Sequence, residues 1–165
     1  MRARLSLLMF LQYAVPGSWV PLFSLILAEM GFSPREVAWA CATSALGALL
    51  APLPWGQIAD RLVAAERCIS FCAFICGILL WVLAELRAPW SVFIVTLAFW
   101  FFMIPVLSLG TALTFRHLQH PERDFGPVRM WGTLGWAAAN WCLGCWFADA
   151  DFVLACLASV RPECP

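Results

Sequence analysis

The chain has 165 residues, a hydrophobic fraction of 63%, a charged fraction of 12% and a formal net charge of zero. Soluble domains have roughly 45–50% apolar and about 25% charged residues, so this composition excludes an ordinary water-soluble fold. With basic and acidic side chains in balance, no overall field draws the chain to nucleic acid.

Five charge-free stretches divide the sequence. Between Arg4 and Glu29 lie 24 uncharged residues, between Glu36 and Asp60 23, between Arg67 and Glu85 17, between Arg87 and Arg116 28, and between Arg129 and Asp149 19. A helix crosses the hydrocarbon core with about 20 apolar residues. The expected fold is all-α: a polytopic transmembrane helix bundle of about five spanning helices, at approximately 5–28, 37–59, 68–84, 90–113 and 130–148. Residues 149–165 are expected to form an irregular or truncated tail, because only nine uncharged residues separate Asp151 from Arg161. The first run exceeds the roughly 7–15 residues of a signal-peptide core, so a retained helix is expected there. Within it, Gln12, Pro16, Gly17 and Ser18 predict an interruption near mid-membrane, facing a bundle interior or a cavity.

Arginines orient the bundle. With the N-terminus inside, the inner segments carry Arg2, Arg4, Arg61, Arg67, Arg116, Arg123 and Arg129, and the outer ones only Arg35, Arg87 and Arg161. Basic residues prefer cytoplasmic loops, so the N-terminus is expected in the cytoplasm of a multi-pass protein of the cell inner (plasma) membrane. Short connections make sequence neighbours antiparallel, and the longest is expected from Phe115 to Arg129, on the inside.

The eight cysteines carry no expected metal site. Cys68, Cys72 and Cys76 recur at helical spacing inside the third run, and Cys142 and Cys145 lie in the fifth with no histidine nearby. They are read as small apolar residues of membrane helices. His117 and His120, beside Arg116, Glu122 and Asp124, resemble a catalytic cluster in composition only and are read as a hydrated loop. No catalytic residue and no cofactor are expected, and an enzyme is not.

Two motifs carry mechanism. Gly56-Gln57-Ile58-Ala59-Asp60-Arg61 stands where the second helix leaves the membrane. Glycine permits close helix packing. Asp60 can accept hydrogen bonds from a helix N-terminus, and Arg61 can pair with a carboxylate across the loop. Contacts of this kind lock one conformation and break in another, so Gly56, Asp60 and Arg61 are candidate gating residues. The second motif, Asp124 to Trp136, opens the fifth helix. Arg129, Thr133, Trp136 and Asn140 follow at i, i+4, i+7 and i+11, one helical face. A cation, a hydroxyl, an indole and an amide suit a protein interior or a water-filled path better than lipid. Trp136 offers a flat surface for an aromatic ligand, while Thr133 and Asn140 offer hydrogen bonds. Gly132, Gly135 and Ala139 offer small surfaces for helix packing.

Several of these segments resemble the nucleoside:proton symporter family of the major facilitator superfamily. They are Phe10-Leu11-Gln12 with Gly17-Ser18-Trp19, then Gly56 to Arg61, then Met103-Ile104-Pro105 with Thr111-Ala112-Leu113, and above all Asp124 to Trp136. Order and spacing agree over roughly residues 5–145. The resemblance implies an N-terminal transmembrane half of a twelve-helix transporter that imports nucleosides with protons. It implies substrate-binding roles for Arg129, Thr133 and Trp136, the last often phenylalanine in the family. Pro16 stands where the family often has tryptophan. The proton-coupling acids are expected in a second half, which implies that this sequence is a truncated fragment of a longer transporter. The implied partners are the lipid bilayer, a nucleoside and protons.

Two other functions fit the residues. One is a sugar or other solute transporter of the same superfamily. The other is a small membrane scaffold subunit working at this length.

Overall fold

Prolines and one glycine set most of the helix boundaries. The structure, a computed structural model, describes residues 2–61 and 64–147, with side chains at 2–57 and 64–145. Helix α1 (Arg2–Glu29) ends at Gly31, whose φ of 85° suits a residue without a Cβ. Gly31 N–H donates to Ala28 O and Phe32 N–H to Leu27 O, and Phe32 packs on the cluster that holds Leu27. This crossed pair of bonds with an apolar clasp is a Schellman ending. Helix α2 (Pro34–Leu50) starts with a capping box in which Ser33 and Glu36 serve each other's backbone N–H, and Pro34 takes the first turn.

Pro52 and Pro54 lack the N–H groups that would continue α2, so the helix yields at Ala51 and resumes as α3 (Pro52–Arg61). Ala51 N–H still reaches Gly47 O, and Trp55 N–H reaches Ala51 O. The second run is thus one stretch in two helical pieces. Helices α4 (Ala65–Glu85), α5 (Pro89–His117) and α6 (Pro121–Phe147) follow.

Among the described residues, four stretches are long and apolar enough to cross a membrane: Arg2–Glu29, Pro34–Gln57, Ala65–Glu85 and Pro89–His117, and the expected fifth span at 130–148, described only to residue 147, is not among them. Their outer faces are apolar too. Trp81, Trp90 and Phe74 are 78%, 77% and 68% exposed, a surface suited to hydrocarbon and not to water.

Small residues let the helices approach. A Cβ on Gly47 would stand 2.6 Å from Trp100 Cβ, which brings α2 against α5. Cys68, Cys72 and Cys76 are buried on one face of α4, and the Cys76 thiol donates to Phe99 O at 3.8 Å. Trp19, Phe99 and Trp100 interlock edge to face at centroid distances of 5.0 and 5.6 Å.

Three expectations change. First, α1 is not interrupted: it runs through Pro16 and Pro21, with Gln12, Pro16 and Gly17 buried. It packs on α6, α5 and α2, and neighbouring helices make a proline tolerable inside a membrane helix despite its missing N–H group. Second, the long inner connection from Phe115 to Arg129 shrinks to Leu118–His120. Pro121 suits a helix's first turn, and Glu122 and Asp124 face its positive end, so α6 begins early. Third, Asp124 is a buried acid at 6% exposure, paired with Arg2. The segment expected to keep it in water as a loop is the first turn of α6.

Candidate functional site

Helices α1 and α6 form the most extensive contact of the fold, and they run parallel. Arg2 meets Asp124, Phe10 meets Gly135 and Gly17 meets Trp136, so residue numbers rise together along both helices. Three crossings separate them, α2 with α3, then α4, then α5. A parallel pair at that separation puts both starts on one side of a membrane.

Glycines make the seam. A Cβ on Gly17 would lie 2.7 Å from Trp136 Cα, and one on Gly135 would run into the Phe10 carbonyl, 2.9 Å from its carbon. Gly132 is as tightly held, with Arg129 Nη1 at 2.7 Å and Tyr13 Cδ2 at 2.9 Å from a Cβ there. The expected packing role of Gly132 and Gly135 is met. Below them, Leu5, Met9, Leu118 and Val128 close an apolar plug, with Phe125 stacked on Phe115 at 4.0 Å.

The predicted stripe runs along the rim of this seam. Arg129 is half-buried, and its guanidinium carbon lies 4.0 Å from the centre of the Tyr13 ring. Trp136 is half-buried against Gly17, Asn140 is half-buried, and Thr133 is exposed. The structure therefore seats Arg129 and Trp136 against α1 and leaves Thr133 facing outward between them. A guanidinium fixed by a ring, a free hydroxyl and a half-open indole can jointly offer charge-assisted hydrogen bonds and a stacking face.

The gating candidates lie elsewhere, on α3. Gly56 is exposed, and a Cβ there would meet nothing within 4 Å among the described residues, so nothing here packs closely on it. It lines a cavity of about 110 Å³ with Trp55, Ile104, Pro105 and Ser108. Asp60 and Arg61 end α3, and their side chains lie outside the described residues.

His117 and His120 stand at the junction of α5 and α6. His117 Nδ1 lies 2.9 Å from Leu113 O at the end of α5, and the carbonyl of His120 accepts from Arg123 and Asp124 N–H at the start of α6.

Three polar features were missed by the sequence reading or given another role there. Tyr13 is the chain's only tyrosine and stands beside Gln12 in an apolar run, a signal that was available. Gln12 is buried, donates from Nε2 to Val106 O at 3.1 Å, and leaves Oε1 without a partner among the described residues. The Arg2–Asp124 pair spans 122 positions, and no local pattern marks it.

A helical bundle with several apolar crossings and a polar stripe set into one helix seam is the architecture of a multi-pass membrane protein. The nucleoside H+ symporter family model matches residues 1–158, and the chain belongs to that family. Among curated relatives, YegT of Escherichia coli K12 is 34% identical over 86% of this chain and 33% of its own length. The nucleoside permease NupG of the same strain is 29% identical over 86% of this chain and 35% of its length. The crystal structure of the nucleoside transporter NupG superposes with a TM-score of 0.81 at 28% identity, over 87% of this chain and 36% of that one. The chain thus spans about a third of the length of the curated relatives it matches.

Proposed function

We propose that this chain supplies the N-terminal part of a nucleoside:proton symporter of the inner membrane, with its N-terminus in the cytoplasm. In this reading α6 is the fifth crossing, from about residue 130 to about residue 148, and Arg129, Thr133 and Trp136 contact the nucleoside. Arg129 and Thr133 donate hydrogen bonds to its oxygens, and Trp136 stacks on the base. Gly56, Asp60 and Arg61, on and at the end of α3 rather than in a loop, gate one state of alternating access. The chain works as a transporter component and not as an enzyme. The observation that carries the reading is the seating of Arg129 and Trp136 against α1, with Thr133 open beside them.

The test is a chimaera joining this chain to the remaining two-thirds of NupG, expressed in cells without nucleoside uptake of their own. It is expected to insert in the membrane and import uridine, with uptake abolished by a protonophore. Insertion without nucleoside uptake would overturn the proposal. A second reading draws on a 26% identity with the maltose permease of Geobacillus stearothermophilus over 85% of this chain. Uptake of maltose in place of uridine by the chimaera would favour it. In the same chimaera, His117→Ala and His120→Ala are expected to keep uridine uptake within about twofold of the parent, because both side chains sit at a helix junction away from the stripe.

A further inference from the structure

Arg129 is the one cation of its stripe, yet among the described residues no carboxylate stands within ion-pair distance of it. Its side chain runs along α6 toward Gly132, and its guanidinium rests on the face of Tyr13 from α1. A ring face attracts a cation through its quadrupole, more strongly where water is excluded. A carboxylate partner would neutralise the guanidinium and occupy its N–H groups. A ring does neither: it fixes the plane of the group and leaves the donors at its edge available. Gly132 belongs to the same construction, since a Cβ there would meet both Arg129 Nη1 and Tyr13 Cδ2.

We propose that Tyr13 is a positioning residue for the substrate site. Its ring holds the Arg129 guanidinium in place over its face, in the space that Gly132 leaves, so that the donors meet a neutral ligand rich in oxygen acceptors. The idea rests on Arg129 as a substrate contact. It assigns the ring, not the hydroxyl, as the working part of Tyr13. It also gives Gly132 a second role beyond helix packing: a methyl there displaces the mobile end of Arg129 before it displaces either backbone.

The experiment measures uridine uptake by the chimaera carrying Tyr13→Leu, Tyr13→Phe or Arg129→Ala, with the membrane level of each variant quantified. Tyr13→Leu is expected to raise KM by about three- to tenfold with Vmax per inserted molecule unchanged. Tyr13→Phe is expected to restore the parental KM. A parental KM in Tyr13→Leu, alongside impaired uptake in Arg129→Ala, would overturn the positioning role and leave the Arg129 contact standing. A fall in Vmax and membrane level that Tyr13→Phe does not rescue would make Tyr13 a packing residue and also overturn it. Undiminished uptake in Arg129→Ala would remove the contact itself, and the positioning role with it.

Discussion

Arg129→Ala is expected to lower nucleoside uptake by the chimaera about ten- to hundredfold while leaving membrane insertion intact. The magnitude follows from hydrogen bonds to a charged group, worth about 1.5–3 kcal/mol, at about 1.4 kcal/mol per factor of ten. Insertion should survive because the guanidinium contributes only a half-buried stack to the fold. Its loss leaves no buried carboxylate stranded among the described residues. Arg129→Lys is expected to recover little. A lysine ammonium lacks the planar fork, and it would sit on Tyr13 as a point charge. Kinetic uptake assays normalised to membrane protein read both variants.

The second large effect concerns the seam itself. Gly135→Ala is expected to destabilise the bundle by about 1–3 kcal/mol, the usual cost of overpacking a closed interface. The added methyl would run into the carbonyl of Phe10, which is backbone and cannot swing aside. Helices α1 and α6 would have to separate, and Tyr13 and Arg129 would part with them. Gly144→Ala, farther along the same helix, is the control. Among the described residues nothing lies within 4 Å of a Cβ there, so it is expected to be neutral or to stabilise by up to about 1 kcal/mol through helix propensity. Thermal unfolding of the two variants in detergent should separate them by several degrees. Equal midpoints would mean that the seam is looser than its glycines imply.

Much of this was legible in the amino-acid sequence. Runs of uncharged residues mark the spans because ionised side chains are costly in hydrocarbon. That signal is local and survives without a partner. The face of Arg129, Thr133 and Trp136 was legible for the same reason, as a local helical period. Helix starts inside polar sequence were not. Glu122, Arg123 and Asp124 break the apolar pattern between Pro121 and Val128, and the early start of α6 rests on Pro121, on acids at a helix N-terminus and on a partner 122 residues away, Arg2. The continuity of α1 was also hidden. Pro16 reads as a breaker until the helices packed on α1 are known. The pairing of Tyr13 with Arg129 was hidden because the two lie on different helices, and no periodicity within one run exposes a cross-helix stack.

Substrate protection at Thr133 tests the central claim most directly. Thr133 is exposed on the stripe, between two residues seated against α1. In the chimaera, with its other exposed cysteines replaced by serine, Thr133→Cys should react with a water-soluble thiol reagent. Uridine should slow that reaction in a saturable manner, at concentrations near its KM, and maltose should not. Labelling that uridine leaves unchanged, in a variant that still transports it, would contradict the placement of the nucleoside on this face.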